Sequence, residues 1–118
     1  MALRRVVLFL TLGALTPVAA ALAPHASGAD AATYSITAVD FKFKGVPARV
    51  PAGRATFRIV NRGTASHDFK IAGKVTKLLS TGQRATLTVT LRKGRAYPYL
   101  CTVPGHSTLG MKGKLVAK

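Results

Sequence analysis

Acidic residues, tryptophan and paired cysteines are scarce or missing in this chain of 118 residues. Three Asp residues and no Glu stand against 18 Lys and Arg residues, which gives a net charge of +15. The single cysteine, Cys101, excludes an internal disulfide. In an exported protein, an odd cysteine indicates a reactive thiol, an intermolecular disulfide or a metal ligand.

The N-terminal segment lacks an apolar run long enough to span a membrane comfortably, which needs about 20 residues. Arg4 and Arg5 precede the apolar run Val6–Val18, and small residues follow, as in a secretory signal peptide. We therefore predict a signal peptide with a flexible lead-in over residues 1–29 and one folded domain over 30–118. An uncleaved anchor is the alternative. Cleavage is compatible with small-x-small patterns that end at Ala21, Ala23, Ala29 or Ala31.

The charge that remains after export is strongly positive. Residues 30–118 hold sixteen of the Lys and Arg residues and all three Asp residues, a net charge of +13. Such a field favours anionic partners and accelerates their encounter in a salt-dependent way. Because the basic residues are spread along an exported chain, we expect no nucleic acid. An acidic partner protein fits better, with a membrane or cell surface as a further candidate. A basic surface that serves only solubility is the alternative, and the domain is expected to be a monomer.

The pattern after the lead-in is β throughout. In Arg84–Leu91, apolar residues alternate with Thr86, Thr88 and Thr90, which places one face in a core and one in water. No segment shows a sustained helical period, and only Val75–Leu79 is ambiguous. Seven or eight short strands predict an all-β fold, an antiparallel two-sheet sandwich of Greek-key type. The other predicted strands are Thr33–Val39, Ala48–Val50, Arg54–Val60, His67–Ala72, Arg95–Cys101 and Lys112–Ala117.

One loop carries the residue types of a soft metal site. Cys101, His106 and Met111 follow each other at intervals of five residues, and their donor atoms suit copper better than calcium or magnesium. Five extended residues span about 17 Å, whereas two ligands of one ion each lie about 2.0–2.3 Å from it. The chain must therefore turn back, and Pro104-Gly105 is a turn-forming pair at the right place.

A second imidazole is expected from His67, which follows the turn Asn61-Arg62-Gly63. His25 lies in the signal or lead-in and receives no role. Taken singly, Cys101 is most often a small buried hydrophobe and Met111 a core residue. Their order, with Pro-Gly between Cys and His and a further His upstream, predicts one copper ion bound by His67, Cys101, His106 and Met111.

These motifs resemble the cupredoxins, the plastocyanin and azurin family of type 1 (blue) copper proteins. The Cys-x4-His-x4-Met spacing is similar to that of rusticyanin and sulfocyanin. The upstream motifs that carry the resemblance are Phe41-Lys-Phe43, Val50-Pro-Ala-Gly53, Phe57-Arg-Ile-Val-Asn61 and His67-Asp-Phe69. The resemblance implies a trigonal set of two His and one Cys, with Met111 as a weak axial ligand. Asp68 lies where many relatives have an Asn that ties the His loop to the Cys loop, with Thr102 as the natural partner here. Whether a carboxylate, which only accepts, makes the same link is left open by the sequence.

The resemblance further implies an electron carrier and not an enzyme. The edge of His106 is expected to meet solvent within an apolar patch formed by Pro104, Gly105 and Leu109, with Val46 or Ala65 as further candidates. An acidic redox partner would dock there. Copper delivery or storage by the same ligands is the main alternative. Two further alternatives are a small domain of a copper enzyme, for which the chain is too short, and a metal-free sandwich.

Overall fold

The computed structural model describes residues 13–14 and 31–118. The predicted signal and lead-in, 1–29, and the candidate cleavage sites before Ala31 therefore lie outside the described residues, apart from Gly13 and Ala14. Within the described part of the chain, no helix is long and apolar enough to cross a membrane.

Nine strands and one short helix form the domain. They are β1 (Ala32–Val39), β2 (Lys42–Lys44), β3 (Arg49–Val50), β4 (Gly53–Asn61), β5 (Lys70–Ile71), β6 (Lys74–Val75), β7 (Arg84–Leu91), β8 (Ala96–Leu100), α1 (His106–Leu109) and β9 (Lys112–Ala117). The predicted bounds of the strands at Arg84–Leu91 and Lys112–Ala117 are confirmed. The ambiguous segment Val75–Leu79 forms no helix.

The strands form two sheets, in the orders β2-β1-β4-β7 and β3-β9-β8-β5-β6. This architecture confirms the predicted all-β sandwich, with nine strands instead of seven or eight. The sheets are mixed and not purely antiparallel, because β1 pairs in parallel with β4, and β3 with β9. The parallel pairs arise because the chain crosses to the other sheet and back between the two strands of each pair.

The core lies between the sheets and follows the alternation seen in the sequence. Phe57 and Ile59 of β4 and Leu87 and Val89 of β7 are all buried, while the Thr residues between the β7 positions face outward. Antiparallel pairing sets Phe57 opposite Leu87. Burial of each such side chain contributes about 1.5–3 kcal/mol relative to exposure, so the pattern read from these two strands identifies a central part of the core.

The strand predicted at His67–Ala72 is shorter than expected and covers only Lys70–Ile71. The backbone of His67 forms an isolated bridge with Leu79, with N···O distances of 3.0 and 2.8 Å. The N–H of Phe69 donates to the Thr76 hydroxyl instead of to a neighbouring strand. At the other end, Ala72 has a φ of 50°, which ends the strand in a turn. Side-chain and loop contacts thus replace the sheet ladder around His67.

Candidate metal centre

Three side chains converge at one end of the sandwich. The Nδ1 atoms of His67 and His106 lie 3.1 Å apart, and the Cys101 Sγ lies 3.6 Å from the His106 Nδ1. Their ligand atoms all lie within 4.8 Å of one another. Donors at typical metal–N and metal–S distances from one ion are about 3–4 Å apart. The structure therefore brings together the three residues predicted as ligands, two His and one Cys. His67 is far from the other two in the sequence.

The ligand loop, residues 101–111, is closed by its own backbone. The N–H of Cys101 donates to the carbonyl of Met111 over 3.0 Å, and that of Met111 donates to the carbonyl of His106 over 3.1 Å. Gly105 has a φ of 83°, a left-handed conformation that favours glycine, and it begins the short helix α1. The expected reversal at Pro104-Gly105 is present, and the helical turn after it was not predicted from the sequence.

The fourth predicted ligand, Met111, is fully buried, and its backbone is hydrogen-bonded to the backbones of Cys101 and His106. His67 and Cys101 are buried as well, whereas His106 is only half-buried. One end of the site is thus sealed by the core and the other approaches solvent. His25, which received no role, lies outside the described residues.

The loop before His67 is shaped by Asn61, the last residue of β4. Its buried side-chain amide donates to the carbonyls of Ala65 and Leu79, over 2.9 and 2.8 Å, and its oxygen accepts from the N–H of Gly63. Both N–H donors of this buried amide and its oxygen therefore have hydrogen-bond partners. Asn61 fixes the path that carries the chain from β4 to His67.

Asp40 is a site residue that sequence reasoning missed. Its Oδ1 lies 2.7 Å from the Nε2 of His67, and Thr64 donates to its Oδ2 from both backbone and hydroxyl. The hydrogen bond from the Thr64 hydroxyl, followed by that from His67, holds the pKa of Asp40 well below its usual range. The one signal available in the sequence was its rarity, as one of only three acidic residues.

Asp68 joins the two halves of the site, a role that the sequence had left open. Its Oδ1 accepts the backbone N–H of Thr102 over 2.6 Å, and its Oδ2 accepts the Thr102 hydroxyl. Asp68 is buried. A carboxylate that only accepts fits here because both Thr102 groups donate. The link connects the residue after His67 to the residue after Cys101.

The Cys101 thiol is buried, with the His106 ring and backbone groups of Asp68 and Val103 around it. Burial, the largest cause, raises its pKa above the ordinary value, and the nearby charge of Asp68 acts in the same direction. A bound metal reverses this balance, because a coordinated thiol is deprotonated. The site is therefore built to hold a thiolate with a cation beside it.

Two imidazole nitrogens, one thiol sulfur and a nearby buried thioether form a soft donor set that suits copper. A compact, mostly buried set of this kind, at one end of a two-sheet sandwich, defines the class of small mononuclear metalloproteins with one cysteine and two histidine donors. The polar side chains around it are satisfied, since no buried side-chain N or O atom in the described residues lacks a hydrogen-bond partner.

The chain belongs to the cupredoxin-like domain family, whose family model matches residues 11–117. Similar solved structures include a dithionite-reduced auracyanin from the photosynthetic bacterium Roseiflexus castenholzii, with 21% identity over 75% of this chain and 98% of that one, at a TM-score of 0.67.

Two further structures have a TM-score of 0.62. Auracyanin A, a "blue" copper protein from Chloroflexus aurantiacus, is 23% identical and covers 73% of this chain and 98% of its own. An azurin from Methylomonas sp. strain J is 16% identical and covers 74% and 98%. A search of curated proteins found no significant match. Family and donor set together identify the cofactor as a single copper ion.

Proposed function

We propose that this chain is an exported carrier of single electrons, which cycles one copper ion between Cu(II) and Cu(I). His67, Cys101 and His106 would form the trigonal set, and Met111 the weak axial ligand. The observation that carries this proposal is the convergence of the two Nδ1 atoms and the Sγ within 4.8 Å in a mostly buried place. No enzymatic reaction is assigned to the chain.

Rigid packing of the ligands supports electron transfer. His67 and Met111 are 0% exposed and Cys101 is 1% exposed, so these side chains have little room to move. Copper supplies the redox change when it is bound, and its two oxidation states prefer different geometries. Packing and hydrogen bonds can hold the donor atoms in a geometry between these two preferences. The ligands then need to move little when copper changes its oxidation state.

The exit for electrons would be the half-buried ring of His106. Phe41 packs against it, edge to face, with ring centroids 5.0 Å apart, and remains 36% exposed. Leu109 is 62% exposed, and Pro104 and Gly105 are exposed beside it. These residues form a small apolar surface around His106, which we call the His106 patch. The candidates Val46 and Ala65 are half-buried, and Phe41 was not among the predicted members.

An acidic redox partner would dock on the His106 patch. Within residues 31–118, no Lys or Arg side chain forms a salt bridge with an Asp, since Asp40 contacts His67 and Asp68 bonds to Thr102. The sixteen Lys and Arg residues of this region therefore keep an unneutralised positive field. Such a field speeds the encounter with an anionic surface and weakens with salt. Contacts of this kind are small and release quickly.

Residues 1–29 would be removed on export. Because β1 begins at Ala32, cleavage next to Asp30 leaves every strand of the domain complete. The mass of the mature protein in an extracytoplasmic fraction tests this part of the proposal. A mature N-terminus well inside β1, or a full-length cytoplasmic product, would contradict it.

The decisive experiment is reconstitution of the apo-protein with Cu(II), followed by visible absorption and paramagnetic resonance spectroscopy. We expect an intense thiolate-to-copper charge-transfer band and a reversible one-electron couple. Cys101→Ser should lose the band, while Thr90→Ser, a control on the exposed face of β7, should keep it. An unchanged spectrum in Cys101→Ser would contradict the proposal. Rapid loss of copper to an acceptor chelator, without a reversible couple, would favour copper delivery instead.

Docking is tested separately, by the rate of electron exchange with an acidic and a basic redox protein over a range of salt concentrations. We expect faster exchange with the acidic protein, a rate that falls with salt, and a slower rate in Leu109→Asp. Equal rates with both proteins at low salt would exclude electrostatic docking. Stronger binding to anionic vesicles than to the acidic protein would favour a membrane surface.

A further inference from the structure

The two nitrogens of the His67 ring face different partners. Nδ1 faces the converging donor atoms, 3.1 Å from the His106 Nδ1, and Nε2 lies 2.7 Å from the Asp40 carboxylate. A neutral imidazole carries one N–H. Because a carboxylate can only accept, the contact with Asp40 places that proton on Nε2 and leaves the Nδ1 lone pair directed at the metal position.

Asp40 is itself fixed in place by the loop that follows β4. Thr64 donates to its Oδ2 from the backbone over 3.0 Å and from the hydroxyl over 2.5 Å, and the N–H of Ala65 donates to its Oδ1 over 3.2 Å. Every one of these partners is a donor. The arrangement requires a group with two accepting oxygens, which an Asn side chain does not provide.

The close approach of Asp40 and His67 depends on Gly63. A Cβ on Gly63 would collide with the Asp40 Oδ1 and would lie 2.9 Å from the His67 Nε2. Parallel pairing of β1 and β4, with Ala38 opposite Asn61, brings the residues that follow both strands to the same edge. The absence of a side chain at Gly63 then leaves room for the carboxylate and the imidazole to meet.

We propose that Asp40 is the positioning residue of the copper site, which fixes the tautomer and orientation of His67 and stabilises Cu(II) relative to Cu(I) by its negative charge. The copper part of this inference rests on the proposed function, whereas the tautomer part does not. A carboxylate partner raises the basicity of a metal-bound imidazole, and removal of such a partner typically weakens metal binding by about 10–100-fold.

The first measurement uses the wild-type apo-protein. Nitrogen NMR of the His67 ring at alkaline pH, where free imidazole is neutral, should show the proton on Nε2. In Asp40→Asn and in Gly63→Ala, we expect a mixture of tautomers. Asp40→Asn removes the charge and keeps the size, whereas Gly63→Ala keeps the charge and forces the pair apart. A wild-type ring protonated on Nδ1 would overturn the inference without any variant having to fold.

The second measurement is the affinity for Cu(II) and Cu(I) and the reduction potential of the loaded protein. Asp40→Asn should lose about 10–100-fold in Cu(II) affinity and less in Cu(I) affinity. A tenfold difference between the two losses is a rise of about 59 mV in potential for one electron. Thr33→Lys, at an exposed position near the opposite end of β1, makes the same change in net charge and should leave the potential in place.

Equal potentials in wild type, Asp40→Asn and Thr33→Lys would overturn the role of the Asp40 charge. Equal shifts in the last two would show that only net charge matters, which overturns it as well. If the wild type gives no thiolate-to-copper band, the proposed function fails, while the tautomer measurement still decides whether Asp40 positions His67.

Discussion

Two regions supply the metal ligands, and they are built in opposite ways. We call Asp40, Asn61, Gly63 and His67 the His67 pocket, and residues 101–111 are the ligand loop. The pocket joins residues at and just after the ends of two parallel strands, β1 and β4, and seals its histidine completely. The loop closes on itself through hydrogen bonds between near neighbours and leaves His106 half-exposed.

The difference separates two tasks that one site must combine. The His67 pocket gives rigidity, since its histidine is held from both ring nitrogens and has no access to solvent. The ligand loop gives a route to the surface, since its histidine meets Phe41 and the solvent at the edge of the domain. If both histidines were sealed as His67 is, no redox partner could approach the site. If both were held only by a loop, the ligands would move when copper changes its oxidation state.

The largest expected effect comes from removing each histidine in turn. In His106→Gly, added imidazole should enter from solvent and restore the charge-transfer band. In His67→Gly, it should not, because the core covers the vacated space. The apo-protein should also lose on the order of 3 kcal/mol of stability in His67→Gly, as for other large buried side chains, and less in His106→Gly. Equal rescue of the two variants would contradict the comparison.

The Asp68–Thr102 link should have the next largest effect, because it ties the two regions together. Hydrogen bonds to a carboxylate are each worth about 1.5–3 kcal/mol. Because Thr102 is exposed, the low end of that range applies to its two bonds, and Asp68→Ala should lower the free energy of unfolding of the apo-protein by about 3 kcal/mol. Thr102→Val keeps the backbone bond and should lose about half of that. Urea unfolding measures both, and in the double variant the losses should not add.

A smaller effect is expected at Gly105, where the ligand loop adopts a left-handed conformation. Gly105→Ala meets no atom within 4 Å and should cost only the backbone strain, about 1 kcal/mol. Gly94→Ala is a matched control, with a φ of 80° and equally open space far from the ligands. Both should lower stability alike, and only Gly105→Ala should weaken copper binding. A loss of copper affinity in Gly94→Ala would refute this distinction.

The smallest effect near neutral pH concerns the Cys101 thiol of the apo-protein. Burial raises its pKa in the folded state, so the unfolded chain ionises first, at a pH of about 8.5. The stability that this thiol contributes is complete below that pH and is lost as pH rises through the higher folded pKa. Urea midpoints of the wild type should therefore fall more steeply with alkaline pH than those of Cys101→Ala. Parallel curves would argue against the burial effect.

Sequence reasoning reached the ligand loop more fully than the His67 pocket. Cys101, His106 and Met111 are close along the chain, so their spacing limits where they can lie. The alternation in Arg84–Leu91 likewise predicted a strand and its buried face, because a strand repeats every two residues. In contrast, the strand predicted from His67 covers only Lys70–Ile71. Leu79 and Thr76 form hydrogen bonds with the backbone before it, in place of a neighbouring strand.

The sequence by itself determined the all-β class, the donor residues brought together here, and a strongly positive net charge. Only the tertiary structure decided that β1 and β4 run in parallel and that Asp40 meets His67 over Gly63. The reason is physical: local spacing constrains residues that the backbone keeps close. Contacts between distant segments depend on which strands become neighbours and on where a missing side chain leaves room.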